Sequence, residues 1–238
     1  EVVLSVKDVS VPNAFTGISL DLHKGEILGI GGLSECGMHE LGKAVFGASY
    51  GRTGSVTLSD GYHVDDIRGA IRHSIAYASK DRDNESVVIA DSICENVCLP
   101  SLDKLAKHGF LLRKQYSAFA QTYAKQMSTK MTGISQYVSE LSGGNKQKVV
   151  LARWIGRGSD ILVLDSPTRG IDVKVKADIY ALMTSLKGQG KSIIMISEEL
   201  PELLGMSDRI LIMKDGKVNG EFTRSESLGE KDLIAKMI

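Results

Sequence analysis

The run Leu141-Ser142-Gly143-Gly144-Asn145-Lys146-Gln147 sets small polar and glycine residues directly ahead of a helical stretch, Lys148-Val149-Val150-Leu151-Ala152-Arg153-Trp154. Glycines let a backbone approach a ligand closely, and a helix start offers unpaired N–H groups and the positive end of the helix dipole. Together they suit a phosphate. A little further on, the apolar run Ile161-Leu162-Val163-Leu164 ends in a carboxylate, Asp165. A second glycine-rich stretch lies far upstream: Gly32-Leu33-Ser34-Glu35-Cys36-Gly37-Met38-His39. In the phosphate-loop pattern G-x-x-x-x-G-K-[ST], glycines cradle the phosphates, Lys neutralises them and the hydroxyl holds Mg²⁺. Here the glycine frame is kept, but Met38 stands where Lys belongs and His39 where Ser or Thr belongs. Alone the stretch also reads as a glycine-rich turn; its place after a strand and before the Ser142–Gly144 helix start favours the phosphate reading.

These groups need strands and helices to position them. Val2–Val6 and the alternating Ile18–Leu22 read as short strands, and Gly25–Ile30 as a buried strand running into Gly31-Gly32. A helix is expected over 37–46, then turn, strand and turn over 51–60. The opening sixty residues so combine a small antiparallel sheet with a strand–loop–helix unit. Ile75–Ala78 is a further strand. From Asp91 to Tyr137, Gly and β-branched residues thin out while Lys, Gln and Ala recur, predicting a helical block with Asp91 or Ser92 as its first N-cap. Strand signals return at Ile161–Leu164 and Ser192–Ile196, with a helix over 174–187 between them. That alternation argues a parallel sheet covered by helices. Arg209–Val218 reads as a β-hairpin turning on Asp215-Gly216 in type I′ geometry, and 228–238 as a closing helix.

Composition narrows the classes. The 238 residues suit one domain, or one domain carrying an inserted subdomain. Basic and acidic residues balance at 29 each, so no broad electrostatic case exists for nucleic acid or acidic lipid. Three cysteines are too few for a disulfide framework; Cys94 and Cys98, one helical turn apart, read as ordinary packing rather than a metal or redox pair. A reduced, cytosolic setting is the default. No apolar stretch approaches the roughly 20 residues of a membrane span, and no secretory leader is evident, so any membrane role works through a partner.

An L-S-G-G helix start followed by an apolar strand and Asp resembles the nucleotide-binding domain of ABC transporters. The resemblance implies an α/β fold: a P-loop NTPase core of mostly parallel sheet flanked by helices, with an N-terminal antiparallel β-subdomain and an inserted helical subdomain. Its expected segments are 1–90 (β-subdomain with phosphate loop), 91–140 (helical subdomain) and 141–238 (signature helix, Asp165 strand and the remaining core). It implies ATP and Mg²⁺ as cofactors, the cation organised by Asp165. It also implies that the water-polarising glutamate is replaced by Ser166, the Q-loop glutamine by Lys80 and the switch histidine by Glu198. Gly170-Ile171-Asp172 looks like an intact D-loop. Phe15 lies in the region of an adenine-stacking aromatic, but reads as core.

The losses have magnitudes. A charge-assisted hydrogen bond contributes about 1.5–3 kcal/mol, so a phosphate loop without its Lys binds triphosphate one to two powers of ten more weakly. Glu35 adds repulsion on the order of 1–4 kcal/mol if its carboxylate comes to about 4 Å from a phosphate. Imidazole is a poor ligand for a hard cation, and His39 reads as a helix-start residue. A positioned general base contributes roughly 10²–10⁴-fold, and the Ser166 hydroxyl cannot accept the proton; the residue reads as a loop position before Pro167. Glu198 cannot donate to a phosphate while ionised. Lys80 either restores some positive charge or is solvated.

The finer resemblance is to sugar-importer ATPases of the ribose, galactose and xylose type, which carry two such domains in one polypeptide. It rests on Leu141–Val149, on Ser166-Pro167-Thr168-Arg169-Gly170-Ile171-Asp172-Val173, and on Ser197-Glu198-Glu199-Leu200-Pro201-Glu202. Thr168–Asp172 is most similar to the second domain, which makes Glu1 an expected excision point with an N-terminal domain upstream. In the family two domains associate head-to-tail, each offering its L-S-G-G helix start to the nucleotide on its partner's phosphate loop. The implied partners are a second nucleotide-binding domain, transmembrane permease subunits and, indirectly, a periplasmic or lipoprotein sugar-binding protein; the implied location is the cytoplasmic face of the membrane. The expectation is a domain that hydrolyses ATP poorly or not at all by itself and completes its partner's site. Two alternatives stand beside it: a catalytically inert regulatory module, and a non-transport ABC ATPase, which would need coiled coils or a basic surface that this chain lacks. A P-loop kinase fails because the L-S-G-G start has no role there.

Overall fold

In the computed structural model, which describes residues 1–107 and 109–238, the opening β-branched run extends into a ten-residue strand, β1 (Val2–Val11). Its buried residues are Leu4, Val6 and Val9. Strict alternation would turn Val9 outward; a bulge between Val6 and Val9, with Asp8 at φ 49°, shifts the register and returns Val9 to the core. β1 lies between antiparallel β2 (Phe15–His23) and β4 (Thr53–Leu58).

A second sheet has six strands. β3 (Ile27–Gly32), β5 (Ile75–Ala78), β8 (Ile161–Asp165) and β9 (Ser192–Ile196) are short, nearly unbroken apolar runs, as strands covered on both faces must be. With β10 (Arg209–Lys214) and β11 (Lys217–Thr223) they take the order β11-β10-β3-β9-β8-β5. The β10–β3, β3–β9 and β9–β8 pairs are parallel; only β11, returning through the hairpin, is known to be antiparallel to its neighbour. Asp215 and Gly216 both have positive φ, 48° and 74°, which is the type I′ turn expected of Asp-Gly.

The chain forms two compact units. The first comprises Glu1–Tyr77, Asp160–Pro167 and Ala177–Ile238. It holds both of these sheets with helices α1 (Met38–Val45), α2 (Ile67–Arg72), α8 (Leu200–Met206), α9 (Glu230–Met237) and most of α7 (Val173–Gly188). The second comprises Ala78–Ser159 and Thr168–Lys176. Its framework is α3 (Ile93–Cys98), α5 (Arg113–Gln126) and α6 (Gly143–Arg157), which contact one another pairwise. Ala120 and Ala124, fully buried on α5, and Gly156 on α6, against Phe119 and Tyr123, are the small residues that permit this approach.

The helical block expected over 91–137 is more broken than its composition suggests. Ser92 does cap α3, in a reciprocal box with Glu95. Pro100, which cannot continue an α-helix, follows in a short turn. After α4 (Leu102–Leu105) comes a small hairpin, β6 (Ala106–Lys107) and β7 (Phe110–Leu111). Beyond α5, Ser128 turns left-handed at φ 51°, and the following segment is tied back to α3 through Ile93 N–H to Gln136 O and Cys94 N–H to Ile134 O. Turns at Met127-Ser128 and Ile134-Ser135 interrupt the run despite the surrounding helix formers.

Candidate functional site

The glycine-rich loop leaves the end of β3 and enters α1. Its two glycines are required by the chain's own sterics. A Cβ on Gly32 would lie 2.4 Å from Cys36 Sγ, and Gly37 has φ 91° with a Cβ position 2.6 Å from Ala14 O. The turn closes on Cys36 N–H to Leu33 O, 2.9 Å, and Gly216 N–H of the hairpin turn donates to Cys36 O at 3.2 Å. Leu33, Ser34 and Glu35 are exposed, whereas Met38 is fully buried, so the residue at the lysine position belongs to the core. Cys36 is buried too, and burial pushes its thiol above the ordinary value, which makes it unreactive. Beside the loop lies a cleft of about 360 Å³. It is lined in part by Val11, Ala14, Phe15 and Lys217, and Phe15 is buried, as its core reading required.

Three residues expected at separate tasks meet here. His39, in the first turn of α1 and buried, places Nδ1 2.7 Å from Asp165 Oδ1 and Nε2 3.2 Å from Glu198 Oε1. Asp165 ends β8 with a fully buried side chain. Its Oδ2 accepts from the Tyr77 hydroxyl at 3.1 Å, and its Oδ1 from the Ser166 hydroxyl at 3.3 Å. Glu198 Oε1 also accepts from Ser34 Oγ at 3.0 Å. Ser166 occupies the left-handed region at φ 50°, unusual for a serine ahead of proline, and its N–H donates to Ile196 O at 2.9 Å. Tyr77 was not singled out in the sequence; the signal was there, one hydroxyl tip in the otherwise apolar run Ile75–Ala78.

α1 starts directly after the loop, and a helix start of this kind is where a phosphate would sit. Magnesium, implied at Asp165, does not suit the donor set. Asp165 Oδ1 already faces His39 Nδ1 and the Ser166 hydroxyl, and Oδ2 the Tyr77 hydroxyl, and no three His, Cys, Asp or Glu side chains among the described residues converge as ligands.

Lys80, Ser142, Gly143 and Gly144 belong to the second unit. Ser142 has the extended N-cap backbone, φ −62° and ψ 157°, but its side chain does not cap; its Oγ instead accepts from Asn145 Nδ2 at 3.0 Å. Ser142 and Gly143 are exposed. Gly144 is buried, and a Cβ there would come within 3.1 Å of Val175. Arg82, three residues beyond Ser79, holds this start in place: it donates to Gly143 O at 2.5 Å and to Arg169 O at 3.3 Å. Burial holds its guanidinium below the ordinary arginine value. Lys146 pairs with Asp83 at 3.2 Å. Further along α6, buried Arg153 donates to Asn96 O (2.7 Å), Asn96 Oδ1 (2.9 Å) and Ser86 O, and burial lowers it to about 10. Asp172, at the expected D-loop, accepts from Val175 N–H at 3.1 Å and so caps the start of α7.

The family described as ABC transporter matches residues 15–169. The chain is 43% identical to the ribose import ATP-binding protein of Lacticaseibacillus paracasei over 221 residues, covering 92% of this chain and 44% of that protein. It is 42% identical to the xylose import ATP-binding protein of Thermoanaerobacter pseudethanolicus over 240 residues, covering 97% and 48%. It therefore spans about half the length of the curated relatives it matches. Among solved structures, a dimeric ATP-binding cassette in a post-hydrolysis state with ADP and phosphate matches with a TM-score of 0.80 at 21% identity, covering 93% of this chain and 99% of that one. The cbiO1 protein of Clostridium perfringens, part of an ABC transporter complex, matches with a TM-score of 0.77 at 21% identity, covering 99% and 94%. At such identities the likeness carries the fold alone, the mostly parallel α/β cassette expected from the sequence.

Proposed function

This chain belongs to the ABC transporter family, and from that premise we propose that it is one nucleotide-binding domain of a sugar importer. Its likeness to ribose and xylose import ATP-binding proteins over nearly its whole length supports the substrate class. In this reading a second nucleotide-binding domain faces it head-to-tail. ATP on that partner's phosphate loop is completed by Ser142, Gly143 and Gly144 of this chain. Closure of the pair is passed to transmembrane permease subunits, which receive sugar from a periplasmic or lipoprotein sugar-binding protein. The domain works at the cytoplasmic face through those permeases; no helix among the described residues is long and apolar enough to cross a membrane.

The observation that carries the proposal is the contrast between the two helix starts. Ser142 and Gly143 are exposed with the backbone of α6 behind them. At α1, Met38 is buried in the lysine position, and the carboxylate and imidazole groups bond one another. Its own loop accordingly contributes little or no hydrolysis: the attacking water lacks a base at Ser166, and Glu198 offers no donor to a terminal phosphate. The test is Ser142→Arg in the full-length transporter. A large cation in the signature start should abolish sugar uptake, and uptake equal to the unaltered protein would overturn the proposal.

A further inference from the structure

We infer that the His39 ring is the resident occupant of the space between Asp165 and Glu198, and that this phosphate loop takes no divalent cation. The inference concerns the chain's own loop and stands whether or not Ser142–Gly144 serve a partner, so the uptake experiment and the one below fail separately.

Asp165 is a fully buried carboxylate, and such a group persists only where its oxygens are met. A divalent ion is one way to meet them. Here the chain supplies the alternative itself. Oδ1 faces His39 Nδ1 at 2.7 Å and Oδ2 faces the Tyr77 hydroxyl at 3.1 Å. On the other side of the ring, Nε2 faces Glu198 Oε1 at 3.2 Å, an oxygen that Ser34 Oγ also reaches at 3.0 Å.

Both ring nitrogens face carboxylate oxygens at hydrogen-bond distance, so neither is turned toward a space in which it could ligate a metal. The two nitrogens also point away from each other, which leaves Asp165 and Glu198 on opposite sides of the imidazole rather than converging on one point. Magnesium requires near-octahedral oxygen ligands at about 2.0–2.1 Å and releases its waters reluctantly. It could enter only by displacing the ring, exposing two carboxylates to replace contacts already made. The bridge has a structural consequence as well. It joins α1, the end of β8 and the segment after β9 without an added ion.

Mn²⁺, whose free-ion electron paramagnetic resonance signal is lost on binding, is the probe. The unaltered chain in millimolar Mn²⁺ should leave the free-ion signal where a protein-free control leaves it, with no shift in melting temperature. His39→Thr removes the ring and restores a hydroxyl. It should bind Mn²⁺ at least about tenfold more tightly than the unaltered chain, reversed by chelator and by added Mg²⁺. His39→Asn, closer in size, serves if the threonine variant fails to fold. Stoichiometric Mn²⁺ binding by the unaltered chain, lost in Asp165→Asn, overturns the inference. So does a folded His39 variant that binds Mn²⁺ no better than the unaltered chain, because the ring is then not what fills the ion's place.

Discussion

At the start of α1, polar groups are turned on one another: His39 reaches Asp165 and Glu198, while Tyr77, Ser166 and Ser34 occupy most of what remains. At the start of α6 they are turned outward. Ser142 and Gly143 are exposed, and the groups that fix the helix act from beside and behind it, Arg82 on Gly143 O and Arg153 on Asn96 and Ser86. Both starts follow glycine-bearing loops, so glycine content does not separate them. What separates them is where the fixed charges and donors are spent. A helix start whose neighbours satisfy one another has little left for a ligand, whereas one braced from behind keeps its front free.

The comparison breaks first at Arg153 if it is wrong. Arg153→Ala strips a buried donor from three acceptors and should cost about 3 kcal/mol of unfolding free energy in urea, since each hydrogen bond to a charged group contributes about 1.5–3 kcal/mol and partial relaxation recovers some of it. A loss under about 1 kcal/mol would mean that α6 is not braced as described.

The next test sets the two starts side by side. His39→Ala leaves Asp165 Oδ1 buried without its nearest donor and should cost about 2 kcal/mol, within the range for an unsatisfied buried acceptor. Ser142→Ala removes an exposed hydroxyl whose partner is the side chain of Asn145, and should change stability by less than about 0.5 kcal/mol. Equal costs at the two positions would erase the contrast.

The smallest expected effect sharpens the account of β3, the strand that delivers the loop. Burial alone would raise the Glu26 carboxyl just ahead of it. Arg209, bonded to it at 2.8 Å, and the His23 N–H at 2.7 Å outweigh burial and hold it below the ordinary value of 4.5. A carboxyl lowered by folding stabilises the native state fully above its unfolded value, and that contribution disappears as pH falls through the lower folded value. Stability of the unaltered chain should therefore fall as the solution is acidified below about pH 4.5, and Glu26→Gln should make that decline shallower. An unchanged slope would show that the ion pair contributes nothing there.

Much of this organisation could be read from residue order because it is local. The glycine frame of the loop, the strand ending in Asp165, the Ser92 cap and the Asp215-Gly216 turn each depend on a few neighbouring residues and obey rules of spacing. The composition of 91–137 misled because helix formers surround a proline, a tight turn and an extended return that only tertiary bonds to α3 stabilise. The His39 bridge was out of reach for a different reason. Its partners lie 126 and 159 residues away, so each residue could be judged only at its own motif position. Read singly, His39 was a poor metal ligand, Ser166 a missing base and Glu198 a missing donor. Read together, His39 and Glu198 form one network with Asp165, joined at its edge by Ser166. Arg82 was visible beside Lys80, yet nothing in the spacing pointed it at Gly143.

The central claim is that this chain's own loop has lost the groups that grip and cleave a triphosphate. ATP turnover by the chain alone, in Mg²⁺ and compared with Asp165→Asn, tests it most directly. The account predicts a rate at background for both proteins. A rate like that of an intact ABC ATPase domain, abolished by Asp165→Asn, would contradict it.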